Sequence, residues 1–106
     1  MKIIDYYTMA EKGQIKSDIN LQREIVYSTE EQSLVIDSII NDIPLPAFYL
    51  WKADNNTLEV LDGKQRTEAI NKFMNNDLDL NGLTYSRMSE EQQKKIEETD
   101  LATVTL

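Results

Sequence analysis

Apolar positions along this chain follow two different periods, and the places where one gives way to the other predict its elements. From Ile3 to Lys12, Ile3, Ile4, Tyr7 and Ala10 share one side of a helix, with Gly13 placed to stop it. Gln14 to Asn20 sets Ile15 and Ile19 among polar residues, the pattern of a short strand. Ser28 with Glu31 three residues on forms a capping box, and Ile36, Ile39, Ile40 and Ile43 then recur at helical spacing. That predicts a helix from about Thr29 to Asp42, closed by Pro44 and Pro46.

Beyond the prolines the pattern becomes extended. Ala47 to Trp51 suits a buried strand, Asp54-Asn55-Asn56 a turn, and Thr57 to Leu61 a second strand, so the pair reads as a hairpin. The second strand runs straight into Asp62-Gly63-Lys64-Gln65-Arg66, and Ala69, Ile70, Phe73 and Met74 behind it form the apolar stripe of another helix. Leu78 to Tyr85, centred on Asn81-Gly82, predicts a small hairpin or an extended turn. Ser89 and Gln92 make a second capping box, opening a mostly polar helix to about Glu98. Leu101 to Leu106 has strand character, with Ala102, Val104 and Leu106 on one face. An apolar strand at a terminus is unusual in an independent protein, so the expectation is a fragment of a longer chain, or an edge that pairs with another copy or a partner.

Composition narrows the chemistry. The 106 residues suffice for a single domain, 1–106, and the absence of cysteine and histidine removes disulfide scaffolds, Cys/His zinc sites and nucleophile-histidine catalysis. A net charge of −8 repels nucleic acid and anionic membrane, so DNA is met only indirectly. No stretch approaches the roughly 20 apolar residues that span a bilayer, and the start of the chain lacks a signal-peptide pattern. The expected compartment is the cytoplasm.

The residues richest in chemistry run from Asp62 to Thr67. A glycine between a strand end and a helix start allows a tight turn, and the unpaired amides of the helix start gather at one spot. The helix dipole adds about half a positive charge there, and Lys64 and Arg66 add full ones, so a phosphate suits the place. About three charge-assisted hydrogen bonds to a triphosphate would give on the order of 5 to 8 kcal/mol. Asp62 is placed to hold Mg²⁺ beside the phosphates or to orient water. The competing reading is a plain structural turn, with Asp62 as the helix N-cap and Arg66 in a surface ion pair.

Other residues carry the same two-sided reading. Arg23 is either a phosphate clamp or a structural ion pair. Phe48, Tyr49 and Trp51 either stack a base or fill the core; Tyr49 is assigned to the face opposite Phe48 and Trp51, and Phe48 to the core. Glu90, Glu91, Glu97 and Glu98 read as a solvated helix face.

Leu21-Gln22-Arg23, Asp37-Ser38-Ile39, Pro44-Leu45-Pro46 and Val60-Leu61-Asp62-Gly63-Lys64-Gln65-Arg66 occur in that order, and with them the chain resembles the ParB/sulfiredoxin superfamily. Within it the sequence is most similar to the N-terminal domain of GmrSD-type restriction proteins, with their early QR, "DSI…PIP" segment and DGQQR signature. The resemblance implies a small α/β (α+β) fold with a short mixed sheet and helices packed around it. It also implies a nucleotide held by its phosphates at the turn, where Asp62, Gly63, Gln65 and Arg66 match the signature and Gln22 and Arg23 the earlier motif; with Lys64 and Thr67 beside them, the expected ligand is a nucleoside triphosphate with Mg²⁺. Asp62 and Gln65 would position metal or water. Relatives couple nucleotide binding or hydrolysis to a nuclease in a separate C-terminal domain, within modification-dependent restriction and phage defence. Lys64 stands where the family usually has Gln, and Tyr27 near where a Trp often follows the early QR. The first departure bears on hydrolysis more than on binding.

Three functions follow as expectations: a nucleotide-binding domain that acts as a triphosphatase when completed by a partner or C-terminal domain; a non-catalytic regulatory or protein-interaction module; and a DNA-nicking domain dependent on a partner. Mg²⁺ with a nucleotide is expected to raise the melting temperature. Arg66→Ala is expected to abolish that rise while leaving the ligand-free protein within a degree or two.

Overall fold

The computed structural model describes residues 1–17 and 26–106. Its elements are α1 (Ile3–Glu11), β1 (Ile15–Lys16), α2 (Thr29–Ile40), β2 (Phe48–Lys52), β3 (Leu58–Asp62), α3 (Lys64–Met74), α4 (Glu90–Glu98) and β4 (Thr103–Thr105), with a short 3-10 turn at Tyr85–Arg87 before α4. The domain is of α+β type. Its sheet has the order β1-β3-β2-β4, with β2 and β3 antiparallel and both outer strands parallel to their neighbours. The expected strand over 14–20 is found at Ile15–Lys16, while positions 18–20, Gln22 and Arg23 lie outside the described residues.

One face of the sheet carries the core and the other faces outward. Phe48, Leu50 and Val60 are buried with Ile36, Ile39, Ala69, Ile70 and Phe73 from the helices. Tyr49 and Trp51 are 40% and 48% exposed, and Leu61, Val104 and Leu106 are exposed with them. Trp51 thus shares the face of Tyr49 rather than that of Phe48, because successive strand residues alternate and positions three apart point opposite ways. The apolar face of the last strand is likewise on this outer side: Val104 pairs with Tyr49, and it is Leu101, just before β4, that enters the core.

Two expected helix faces shift. In α1 the fully buried pair is Ile3 and Tyr6, while Ile4, Tyr7 and Ala10 are only partly covered. Tyr6 packs its ring 5.4 Å from that of Phe48 and its hydroxyl bonds Thr67 Oγ1 at 2.9 Å, a fit no aliphatic residue could make. In α2 the buried set is Gln32, Val35, Ile36 and Ile39, and Ile43 is exposed. The helix stops at Ile40, ahead of the prolines, with Asp42 in the left-handed region at φ 58°, so the helical spacing has ended before Ile43 is reached.

Between α3 and α4, Leu80 and Leu83 bond each other's backbone across Asn81 and Gly82, both at positive φ, which is the tight two-residue turn that Asn-Gly favours. Tyr85 donates to the Glu97 carboxylate, and burial with that contact pushes its hydroxyl up to about 12.

Candidate functional site

The turn between β3 and α3 is shaped by one glycine. Gly63 is the N-cap of α3 at φ 104° and ψ 15°, a conformation that costs an L-residue about 1–2 kcal/mol. A Cβ here would also meet Phe48 Cδ2 at 2.8 Å and Arg66 Nη2 at 3.2 Å. Gly63 is therefore required twice, by backbone angle and by space. Just before it, β2 and β3 shift register: Tyr49 faces Asp62 and Leu50 faces Val60, so β3 carries an extra residue at the rim of the site. Asp62 emerges there with its side chain 71% exposed. It does not cap the helix: the N-cap position is held by Gly63, which has no side chain to do so.

Arg66 lies under the turn. The residue is only 8% exposed, its Nη1 donates to Pro46 O at 2.7 Å and its Nη2 to Ala47 O at 3.4 Å, and its guanidinium sits 4.8 Å from the centre of the Phe48 ring. Asp62 Oδ2 is 3.9 Å from Nη2, an ion pair at the edge of solvent. The surface ion pair expected for the plain-turn reading is thus present, but the main duty of Arg66 is to tie the entry of β2 to the turn. The guanidinium still borders the cavity, and its charge adds to the potential there.

Thr67 is fully buried and directed inward. Its Oγ1 donates to Gly63 O at 2.8 Å and bonds Tyr6 OH, while its amide also donates to Gly63 O. Its hydroxyl is committed to holding the turn, so among the expected phosphate-binding side chains it is one that does not reach the cavity. Burial of Tyr6 pushes its hydroxyl above the usual tyrosine range, opposed by the bond to Thr67 and the nearby Arg66 charge.

Gln65 is the residue whose chemistry is left open. It is 8% exposed, and its Oε1 accepts from the Tyr27 amide at 3.1 Å. Its Nε2 is buried with no hydrogen-bond partner. A buried donor without a partner costs about 1–3 kcal/mol, so natural sites seldom keep one unless something fills it. Tyr27, Asp62, Gly63, Lys64, Gln65 and Arg66 line a small cavity of about 90 Å³ at this point. A shallower groove of about 530 Å³ adjoins it, sharing Tyr27, Asp62 and Arg66 and adding Glu31, Leu34, Val35, Ser38, Leu45 and Pro46.

The structure places Asp62, Gly63, Lys64, Gln65 and Arg66 along one cavity. Sequence reasoning missed the Tyr27 amide, the Pro46 and Ala47 carbonyls and the Phe48 ring as parts of the same assembly. Backbone groups carry no residue-type signature, and the link from Arg66 to Pro46 spans twenty residues. For Mg²⁺, among the described residues Asp62 is the single carboxylate lining this cavity and no group of three or more acidic residues is placed to hold a metal. Mg²⁺ commonly keeps several waters and takes one or two protein carboxylates plus substrate phosphates, so Asp62 fits such an ion only when a phosphate chain supplies further ligands.

Comparison with known proteins gives one family: the model described as GmrSD restriction endonuclease, N-terminal domain, matches residues 6–104, nearly the whole chain. Neither the curated proteins nor the solved structures contain a match to it. Among the described residues no helix is long and apolar enough to cross a membrane.

Proposed function

The chain belongs to the GmrSD restriction endonuclease N-terminal domain family, and on that premise we propose that it binds the phosphate chain of a nucleoside triphosphate at the β3–α3 turn. The observation that carries this reading is the buried Nε2 of Gln65, a donor without an acceptor in the first turn of a helix whose N-cap is a glycine. An anion supplies the acceptor that this donor lacks, at the end of the helix whose dipole favours negative charge. Lys64 and the Arg66 guanidinium add positive potential, and Asp62 offers a ligand to Mg²⁺ carried by the phosphates. The adjoining groove, apolar along Leu34, Val35, Leu45 and Pro46, gives the nucleoside a place to lie and favours a nucleotide over free phosphate.

In this reading the domain senses or hydrolyses nucleotide within a restriction system, and the cutting of DNA falls to a nuclease domain or partner protein. The charge of −8 supports that division, because it opposes direct contact with a phosphate backbone. The test is a melting series with Mg²⁺ and ATP, GTP, CTP or UTP, with tripolyphosphate alone as the comparison. At a hundred times the dissociation constant, binding stabilises by about 2.7 kcal/mol, which is on the order of 10 °C for a domain of this size. Phosphate release by the isolated chain then separates turnover from binding.

A second reading is favoured by the outer sheet face, where Tyr49, Trp51, Leu61, Val104 and Leu106 are exposed together. A non-catalytic interaction module would use that face, with the turn serving only to hold β2, β3 and α3 in place. No melting shift with any nucleotide at high millimolar concentration would leave this reading in possession.

A further inference from the structure

The Gln65 amide has two ends with different neighbours, and that asymmetry suggests how the site communicates. Oε1 accepts from the Tyr27 amide at 3.1 Å, while Nε2 lies buried and unpartnered beside the cavity at the start of α3. Tyr27 directly precedes Ser28, the N-cap of α2, whose hydroxyl accepts from the Glu31 amide. One planar side chain therefore joins the ligand cavity to the segment that enters α2.

We infer that Gln65 couples nucleotide binding to the docking of Tyr27 and the start of α2, so that the two form as one event. The inference rests on the proposed binding of phosphate at this turn. The bond from Tyr27 fixes the orientation of the amide: the oxygen faces the backbone N–H, and the nitrogen lies buried without a partner on a residue that lines the cavity. Gln65 then meets the ligand as a donor, recognising a phosphoryl oxygen. When that oxygen accepts from Nε2, the amide is polarised and its Oε1 becomes a stronger acceptor for the Tyr27 N–H, as in any chain of hydrogen bonds at low local dielectric. Reciprocity requires that whatever holds Tyr27 in place also tightens the ligand. The site thus reports its occupancy along the backbone toward α2, and Gln65 is a binding and positioning residue, placed to hold a phosphoryl oxygen while it holds Tyr27.

Two measurements test this together. Calorimetry on the full chain with Mg²⁺ and nucleoside triphosphate establishes binding, while hydrogen exchange at the Tyr27 amide reads the coupling. Saturating nucleotide should slow Tyr27 exchange at least about tenfold in the unaltered protein, the amount expected from about 1.4 kcal/mol of coupling. Gln65→Glu keeps an acceptor for the Tyr27 amide but turns an anion toward the phosphates. It should retain ligand-free Tyr27 protection and bind nucleotide on the order of a hundredfold more weakly. If the unaltered protein binds nucleotide while Tyr27 exchange stays the same, the coupling is refuted and the binding reading stands. If calorimetry shows no binding at all, the binding reading fails and takes the coupling with it. Equal affinity of Gln65→Glu and the unaltered protein would also overturn the assignment, and the Tyr27 measurement decides the matter even where that variant does not fold.

Discussion

Two kinds of helix start stand side by side in this domain. α2 and α4 each open with a complete capping box, in which Ser28 and Glu31, or Ser89 and Gln92, satisfy one another's backbone donors. α3 opens on a left-handed glycine, which can form no such box, and the residue at its second position, Gln65, leaves a buried donor unpaired. In the first two the N-cap and third-position residues satisfy each other within the box itself. The third keeps the unpaired Gln65 donor beside a cavity, over a base of Arg66, Phe48, Tyr6 and Thr67 that is engaged within the protein. Stability and readiness for a ligand are thus assigned to different residues of the same turn.

The largest expected effect comes from removing the glycine. Gly63→Ala demands a strained φ and drives a methyl into the ring of Phe48, which is fully buried and held between Tyr6 and Arg66. The left-handed strain and the overpacking together should cost about 2–5 kcal/mol, a fall in melting temperature of roughly 10 °C or more. A Gly63→Ala protein that melts within two degrees of the unaltered one would show that the turn is looser than its contacts indicate, and the distinction between the helix starts would lose its basis.

Arg66→Ala comes next, and here the structure revises the control that the sequence suggests. An arginine on the surface could be cut back at little cost to the ligand-free protein. This one supplies donors to Pro46 and Ala47 and lies over Phe48, so truncation should cost about 2 kcal/mol even without ligand, or on the order of 8 °C. Loss of nucleotide affinity by this variant would then mix a distorted turn with a missing charge. Arg66→Lys separates them in part: it keeps the charge but cannot reproduce a fork that reaches two carbonyls, so it should recover affinity better than it recovers melting temperature.

How far the site was legible in the sequence follows from the same contrast. The capping boxes were readable because each is a local pattern of four residues, and the strand-glycine-helix succession was readable because its periods change on either side of Gly63. The partners of Arg66 and Gln65 were not, since both are backbone groups brought near by the fold. Tyr6 displaced Ile4 and Tyr7 at the centre of its helix face for a similar reason: several offsets fit the helical period, and the choice was settled by Phe48 and Thr67 across the core. Trp51 stands three positions from Phe48 in β2, so strand alternation by itself puts it on the outer face with Tyr49.

Ser89→Ala tests the other half of the comparison. Loss of an N-cap hydroxyl typically costs about 1 kcal/mol, so melting should fall by roughly 4–8 °C. The self-contained box at α4 lies outside the cavity residues, and nucleotide affinity measured by calorimetry should stay within about twofold. A large loss of affinity from this variant would mean that the ligand responds to the stability of the whole domain and that the start of α3 is not a separate site.

The smallest effect should come from Asp62→Asn, and its sign is what matters. The side chain is 71% exposed and lies 3.9 Å from Arg66 Nη2, so its loss should hardly alter folding. Without a divalent cation, the carboxylate opposes an incoming polyanion, and its replacement by an amide should tighten tripolyphosphate binding about twofold to fivefold, as expected for one solvent-screened charge. With Mg²⁺ present the carboxylate becomes a ligand to the ion carried by the phosphates, and the same substitution should weaken binding of the nucleotide. A reversal of sign between the two titrations would assign Asp62 to the metal side of the site. Tightening in both would make it only a counter-charge to Arg66, and no change in either would place the ligand away from this rim and toward the Leu34 and Leu45 side of the groove.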